Sequence, residues 1–473
     1  MKRYKRLGFL LGILAVLCTA TLLLSHYEEQ QEQIKASNAV IMQIPVDSVT
    51  QVAWSYESGD GLTFLREDTG WQYTDDSNFP VSTEKIEKLL SHFESYGVTF
   101  AIENVDDYGQ YGLEQPECTL SLTTETETVT LKMGDLSQMD QQRYIDIGDG
   151  NVYLVAEDPT EYVSPELSSM ILHDTVPGFE KVESVTFTGR ENYSFTRVED
   201  STDTYAPETD IYFTRQSGKS VPLDTAAVRT YLNTLTGLSL LDYATYCATA
   251  EELEAFGMNA PILTVAVDYS ETDEDGSSRS AQCLITLGEN QAQRAAADQA
   301  VAAGETATAV TKYVRVGQSG ILYVISDTEY GILEKAGYND LRHNQLFWAD
   351  FDMVTGITAT LEGTTHTLTR QDADEEALWY YGQTEISISS LKSALYALSI
   401  DQFTEETPDK VQELQLVLHL NSESCPTVTL SLYRYDGVHC LAMADGTPVG
   451  LLPRADVIAL TEALQAILLN NDS

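Results

Sequence analysis

A six-residue pattern occurs twice in the chain, and it constrains the fold more than any other feature. Residues 111–116 read Tyr-Gly-Leu-Glu-Gln-Pro, and residues 256–261 read Phe-Gly-Met-Asn-Ala-Pro. Each pattern precedes a run of alternating apolar and polar residues, at 118–122 and at 263–267. Self-similarity of this kind is typical of a chain built from copies of one structural unit. The positions that define the pattern are Tyr111, Gly112, Leu113 and Pro116 in the first copy, and Phe256, Gly257, Met258 and Pro261 in the second.

The residues on either side of the two patterns also match, in the same order. Upstream, Ser82 and Asp224 are natural N-caps in front of amphipathic helices. Downstream, a strand that ends at Gly134 corresponds to a strand that ends at Gly288. Hairpin turns follow at residues 148–150 and 317–320. Each unit is therefore predicted to contain opening strands, one helix, the turn and several further strands.

A third unit is visible near the carboxyl end, although its turn pattern is missing. Only Pro408 stands near the place where the turn is expected. Apolar alternation predicts strands at residues 354–368, 379–381, 414–420, 428–433 and 439–443, with helices from Ser389 and over residues 453–469. The third unit is therefore a degraded copy.

The strands alternate apolar and polar residues, which favours antiparallel sheets with one face against a helix. The predicted fold class is α+β: tandem repeats of a mainly antiparallel β-sheet packed with one helix, after an N-terminal transmembrane helix. The predicted segments are a basic tail at 1–6, a transmembrane signal-anchor at 7–24, a linker at 25–44, and modules at 45–177, 178–351 and 352–473. Module 2 contains two insertions, an acidic hairpin tip at 271–276 and an alanine-rich stretch at 291–311 that is either a surface helix or a flexible loop.

The amino terminus departs from the composition of the rest of the chain. A basic cluster of Lys2, Arg3, Lys5 and Arg6 precedes Leu7–Leu24, which carries no charge. As a helix this run would span about 27 Å, close to the thickness of the bilayer hydrocarbon. The basic cluster should stay in the cytoplasm, so the body of the chain is expected outside it. We expect an uncleaved single-pass anchor; a cleaved signal peptide and a lipoprotein signal are the alternatives.

Charge and motif content exclude several classes of function. The net charge of −46 disfavours nucleic acid as a partner, because the chain and the phosphates repel each other. The seven histidines and six cysteines lack the spacing of a zinc site. No phosphate-binding loop, dinucleotide fingerprint or nucleophile elbow occurs. We therefore predict no catalytic, cofactor-binding or metal-binding residues and no cofactor.

The turn pattern itself has a structural and a functional interpretation. Glycine permits a positive φ, and proline favours an extended residue before it, so the pattern can lead the chain into a strand. The alternative is a ligand-binding loop. The two copies share no charged or nucleophilic group, which favours the structural interpretation.

Several of these motifs together resemble one known family. The motifs are the Tyr-Gly-Leu-x-x-Pro turn, the Leu-x-Met-Gly-Asp strand end at 131–135, and the Tyr-x-x-x-Gly-x-Gly-x-Val-Tyr hairpin at 144–153. They resemble the bacterial family of domains of unknown function numbered 4340. The resemblance covers most of residues 45–345, with a looser third copy to about residue 467. Phe256 and Met258, the alanine-rich insertion and the lost third turn depart from the pattern.

The resemblance implies a protein anchored in the bacterial cell membrane with most of its chain outside the cytoplasm. Members are often encoded beside ABC-transporter components similar to those of gliding-motility systems, and the family supplies no catalytic residues. We therefore expect a non-enzymatic accessory or scaffold protein of the envelope, with a transporter subunit as partner. The alternatives are a cell-wall glycan-binding module that uses some of the 26 tyrosines, and a cryptic hydrolase with paired carboxylates.

Overall fold

The computed structural model describes residues 14, 16–21, 33–36, 39–57, 59, 61–138, 141–273, 276–373 and 376–469. The chain divides into two compact units, Met1–His173 and Asp174–Ser473. The first unit contains one large sheet, which we call module 1. The second contains two large sheets, which we call modules 2 and 3.

Within the described part of the chain, no helix is both long enough and apolar enough to cross a membrane. The predicted transmembrane segment, Leu7–Leu24, lies largely outside the described residues. Of this segment, residue 14 and residues 16–21 are described, and they are helical. The membrane anchor therefore stays a prediction.

Module 1 is a nine-stranded antiparallel sheet packed against one helix. Its elements are β1 (Gln33–Ala36), β2 (Val40–Met42), β3 (Val49–Tyr56), β4 (Leu62–Glu67), β5 (Gly70–Tyr73), α1 (Thr83–Ser91), β6 (Tyr96–Gly97), β7 (Phe100–Glu103), β8 (Cys118–Thr124), β9 (Thr128–Leu136), β10 (Arg143–Asp146) and β11 (Val152–Val155). The strand order is β1-β7-β11-β10-β9-β8-β3-β4-β5. Helix α1 begins after Ser82, whose side chain accepts a hydrogen bond from the Lys85 amide, and it buries Ile86, Leu89 and Leu90.

The segment predicted as a linker, residues 25–44, contributes two of these strands. Strand β1 pairs with β7 at one edge of the sheet, and β2 pairs with β6 in a separate two-stranded ladder. An edge strand presents a row of backbone donors and acceptors, so an adjacent extended segment adds to it readily. Apolar periodicity does not reveal such short edge pairings.

Module 2 repeats this architecture with a longer chain. Its elements are β12 (Lys181–Gly189), β13 (Tyr193–Arg197), β14 (Tyr212–Gln216), β15 (Lys219–Pro222), α2 (Thr225–Thr236), β16 (Tyr243–Thr245), α3 (Ala250–Ala255), β17 (Leu263–Thr272), β18 (Ser278–Glu289), α4 (Gln291–Ala302), β19 (Lys312–Val316), β20 (Leu322–Ile325), α5 (Asp327–Leu333) and α6 (Tyr338–Leu341). The strand order is β15-β14-β13-β12-β17-β18-β19-β20-β16. Asp224 caps α2 through the amides of Ala226 and Ala227. The alanine-rich insertion contains helix α4, the first of its two predicted alternatives.

Module 3 has the same order of strands as module 2, with one helix among the strands and a long helix at its end. They are β21 (Val354–Leu361), β22 (Thr364–Ala373), β23 (Glu376–Tyr381), β24 (Thr384–Ile386), α7 (Ser389–Tyr396), β25 (Gln402–Phe403), β26 (Gln412–Leu420), β27 (Thr427–Arg434), β28 (His439–Ala444), β29 (Thr447–Pro453) and α8 (Arg454–Leu469). The strand order is β24-β23-β22-β21-β26-β27-β28-β29-β25. Helix α8 packs on α7 and buries Val457, Leu460 and Leu464.

The central strands of the three sheets share one topology, whereas the edges differ: module 1 adds β1 at one edge, and modules 2 and 3 add a fourth opening strand, β15 or β24, at the other. In each, the first long strand pairs with the strand that follows the turn position, and the register is equivalent: Val52 faces Leu122, Val185 faces Val267, and Ile357 faces Leu418. The predicted repetition of antiparallel sheets with a packed helix is therefore confirmed. The domain ranges stay predictions, because membership of a sheet does not set where one folding unit ends.

Candidate functional site

The two turn patterns adopt one backbone conformation. Tyr111 ends a short 3-10 helix, and Gly112 follows with φ of 69°, in the left-handed region. Gly257 has φ of 75° at the equivalent place after α3. Glycine adopts this conformation without the steric penalty of a Cβ atom, which explains its presence in both copies.

A second pair of glycines lies beneath the turns. A Cβ atom on Gly134 would overlap the carbonyl oxygen of Tyr111, and one on Gly288 would overlap that of Phe256. The turn backbone therefore rests directly on the end of strand β9 or β18. This contact gives the matched glycines at the strand ends a steric reason.

The remaining predicted residues of the pattern make packing contacts. The Tyr111 ring lies 4.8 Å from that of Tyr144, and the Phe256 ring lies 4.5 Å from that of Tyr313. Leu113 and Met258 are buried. Pro116 and Pro261 are half-buried at the entrance to strands β8 and β17. These contacts support the structural interpretation of the turn.

An ion cluster lies at the same corner of module 1. The Arg143 guanidinium, whose side chain is 5% exposed, donates from Nε to Asp158 Oδ1 at 2.6 Å. Its Nη1 donates to Glu117 Oε2 at 2.5 Å and to the Gly134 carbonyl at 2.6 Å. Burial, the largest single cause, would raise the pKa of Asp158, but the hydrogen bonds from Arg143 and Thr160 together outweigh it and hold this pKa below its usual range. The cluster fastens the turn, β9 and β10 together.

Module 2 has a cluster at the equivalent corner. Lys312 stands two residues before the Val314–Leu287 pair, as Arg143 stands two residues before the Ile145–Met133 pair. Lys312 donates to Glu289, which also accepts from Arg294 Nε at 2.8 Å and Nη2 at 2.7 Å. The Arg294 hydrogen bonds and then Lys312 lower the pKa of Glu289 to about 2.

Module 3 departs from this plan at the residue beneath the turn. Leu414 pairs with Leu432 as Cys118 pairs with Met133, so Tyr433 occupies the position of Gly134. A Cβ atom at the equivalent position of modules 1 and 2 would overlap the turn backbone, so the missing turn and the missing glycine of module 3 are consistent with each other.

The charges at this corner of module 3 are also rearranged. Arg434 stands where module 1 has Asp135, and Cys440 stands where it has Arg143. The carboxylate is Glu413, which accepts from Arg454 Nε and Nη2 at 3.2 and 3.1 Å. Arg434 Nε lies 3.6 Å from the same oxygen, a longer ion pair.

The charged residues Glu413, Arg434 and Arg454 line a groove of about 720 Å³ between the start of β26 and helix α8, on the face of the sheet opposite to Tyr433. Val411, Glu413, Arg434, Arg454 and Ile458 are among the residues that line it. Val411 is 77% exposed and Ile458 is 40% exposed, high values for aliphatic side chains. A second hollow, of about 700 Å³, lies on the other side of Lys410 and Arg434. We take the first as the candidate functional site and call it the module 3 groove.

The carboxyl groups outside the groove have pKa values that shift in one direction only. Each described carboxyl group with a shifted pKa has it lowered: Asp158, Glu252, Glu289, Glu329 and Asp436. Hydrogen bonds to the charged form account for these shifts. Among the described residues, no group of three or more histidine, cysteine, aspartate or glutamate side chains is arranged to hold a metal ion.

The tyrosines are packed inside the modules. Every tyrosine in the described ranges is buried or half-buried, and several, such as Tyr153, Tyr313 and Tyr323, lie in strands. They therefore do not build the fully exposed aromatic platform that a glycan-binding surface would use.

Sequence reasoning missed the residues of the module 3 groove, although a signal was present. Residues 131–135 read Leu-Lys-Met-Gly-Asp, and the equivalent residues 430–434 read Leu-Ser-Leu-Tyr-Arg. The glycine is replaced and the following charge is reversed. Aligning the third copy strand by strand would have shown this difference.

Comparison with known families bears on the turn and its flanks. Residues 71–261 match the family model described as Domain of unknown function (DUF4340). Over this range the chain belongs to the DUF4340 family. The match runs from strand β5 of module 1 to the second turn, so it includes both copies of the turn pattern. No curated protein and no solved structure matches the chain significantly.

Proposed function

We propose that this DUF4340 protein is a non-enzymatic, membrane-anchored scaffold of the bacterial envelope, with its body outside the cytoplasm. Its module 3 groove would bind a protein partner. The observation that carries the proposal is the module 3 groove itself, which exposes the aliphatic side chains of Val411 and Ile458 beside Arg434.

The charged groups of the molecule support a structural and binding role. A general acid needs a carboxyl group whose pKa is raised toward neutrality. The carboxyl groups with shifted pKa values in the described chain are shifted the other way. Their ion pairs fasten strands and helices, as Arg143 and Glu289 do, which favours a scaffold over the hydrolase alternative.

The partner that we propose is a subunit of an ABC-type transport system, as the resemblance of this chain to the family implies. An anchored body of repeated modules would hold such a subunit at the membrane surface. The glycan-binding alternative has less support, because the tyrosines that it requires are packed into strands and cores.

The proposal is tested by capturing partners from native membranes. The full chain is crosslinked in cells and purified, in parallel with Val411→Ser and with Leu241→Ser, which alters an exposed leucine in module 2. We expect one or a few membrane proteins to be recovered with the wild-type chain and with Leu241→Ser, and to be depleted with Val411→Ser. Recovery of no reproducible membrane protein would contradict the scaffold role.

A further inference from the structure

We infer that the module 3 groove binds an extended polypeptide segment carrying an aliphatic side chain next to a single carboxylate. The inference rests on the proposed function and adds the chemistry of the partner. Three features of the lining lead to it: two exposed aliphatic side chains, a guanidinium with a long ion pair, and neutral hydrogen-bonding groups.

The aliphatic contact comes from opposite walls of the groove. Val411 precedes strand β26, and Ile458 lies one turn into helix α8. Single exposed aliphatic residues are common on protein surfaces, but two that face one groove form a patch that an apolar side chain can cover. Covering it removes apolar surface of both partners from water, which favours binding.

The charge contact comes from Arg434. Its side chain is 52% exposed, and the carboxylate nearest to it, Glu413, already accepts two hydrogen bonds from Arg454. A guanidinium has five N–H donors in a planar fork that matches a carboxylate. An incoming carboxylate can therefore bind Arg434 without displacing the Arg454–Glu413 pair.

The balance of charges in the groove favours a ligand with few charged groups. Three of the twelve residues that line the groove are basic, against 27 of 473 in the whole chain. Three others, Glu362, Glu413 and Glu462, are acidic, so a polyanion such as nucleic acid or polyphosphate would be repelled. The groove therefore favours a ligand that is mostly neutral.

The remaining polar groups fit a peptide backbone. Gln412 and Gln465 offer amide donors and acceptors, and Thr461 offers a hydroxyl. Peptide N–H and C=O groups need such partners when they leave water. A polypeptide segment satisfies these groups, the aliphatic patch and Arg434 together.

The test uses a phage-displayed library of random dodecapeptides selected against the full-length protein. We expect enriched peptides to share Leu, Ile or Val within two positions of Asp or Glu. Replacing that acid by its amide should weaken binding about tenfold or more, because one charge-assisted hydrogen-bonded contact is lost. Arg434→Glu should reverse the preference toward Lys or Arg, and Val411→Ser should weaken all enriched peptides.

Matched controls lie outside the groove in module 2. Arg190→Glu changes an arginine whose side chain is 84% exposed, and Leu241→Ser changes an exposed leucine. Both should leave peptide binding unchanged. The inference is overturned if no peptide is enriched, or if enriched peptides bind Arg434→Glu as tightly as the wild-type chain. It is also overturned if light scattering shows a dimer that Val411→Ser dissociates, because a second copy would then occupy the groove.

The two proposals fail separately. If membrane partners are captured and lost with Val411→Ser while peptide selection gives nothing, the scaffold role stands and the linear-peptide inference fails. If acidic peptides bind the groove but no membrane partner is recovered, the groove chemistry stands and the scaffold role fails.

Discussion

One strand position carries glycine in modules 1 and 2 and tyrosine in module 3. At positions 134 and 288 the missing Cβ atom lets the carbonyl oxygen of Tyr111 or Phe256 lie against the strand. At the equivalent position 433 the strand carries tyrosine. The residue after each glycine is acidic in modules 1 and 2, and Arg434 in module 3.

Gly134→Ala should destabilise module 1 by about 1 to 3 kcal/mol, because the added methyl group displaces the turn backbone. Urea unfolding monitored by the fluorescence of Trp54 and Trp71 measures this change. Gly437→Ala is the control, because nothing lies within 4 Å of a Cβ atom there. Equal stability of the two variants would show that the turn does not press on β9.

The lowered pKa of Glu289 predicts that the free energy of unfolding of module 2 depends on pH. Its pKa is lowered to about 2 in the folded protein, from an ordinary value of 4.5. The contribution of the ionised Glu289 to the free energy of unfolding is therefore fully present above pH 4.5, and it is lost as the pH falls through about 2. At pH 7 it amounts to roughly 3 kcal/mol.

Glu289→Gln should lower the free energy of unfolding at pH 7, and the difference from wild type should shrink below pH 4. Urea unfolding at a series of pH values measures it, with the exposed Glu305→Gln as the control. A difference that does not depend on pH would show that the carboxylate charge is not what stabilises this corner.

At the scale of elements, residues 342–353 form the segment that connects modules 2 and 3, and this segment contacts both modules. Its backbone pairs with module 3, where the Leu346 amide donates to Leu398 and Asn344 accepts from Ile400. The side chains of His343 and Trp348 in this segment contact Asp210, a completely buried residue of module 2. The connection is thus a set of fixed contacts within the second unit.

Asp210 is the polar centre of this connection. Its Oδ2 accepts from Thr204 Oγ1 at 2.5 Å and from Trp348 Nε1 at 3.0 Å, and its Oδ1 lies 3.0 Å from His343 Nε2. The His343 and Trp348 rings stack at 4.0 Å. One buried carboxylate therefore orders a loop of module 2 and the connecting segment together.

Asp210→Asn should cost about 3 kcal/mol, because the amide nitrogen would face a buried donor and the carboxylate charge is lost. The Trp348 fluorescence should shift as its indole loses the acceptor. Asp203→Asn, a change at an exposed aspartate in the same loop, should alter neither quantity. Unchanged stability of Asp210→Asn would mean that apolar packing alone joins the modules.

At the scale of the whole molecule, the proposed location makes a prediction about accessibility. Cys247 is exposed in the folded body. In protoplasts, a membrane-impermeant maleimide should label it without lysis, and Cys247→Ser should remove most of the label. Labelling that requires lysis would place the body in the cytoplasm and contradict the scaffold proposal.

Much of the architecture is readable from local patterns. Alternating strands, capped helices at Ser82 and Asp224, and matched turns predict a repeated antiparallel sheet, since each signal depends on nearby residues. Short edge pairings such as β1 with β7 carry no such periodicity. The groove was missed for a related reason. Its walls come from Val411, Arg434 and Ile458, which are far apart in sequence and meet only when β26, β27 and α8 pack.

The sequence alone determines the repeated module, because strand alternation, helix caps and a glycine turn are local properties that recur in order. It also determines the strong negative charge and the uncharged run at the amino terminus. Only the tertiary structure determines which residues lie at the equivalent corner of each module. There, ladder register places Gly134, Gly288 and Tyr433 at one equivalent position. At positions 134 and 288 the absence of a side chain lets the turn backbone lie against the strand end.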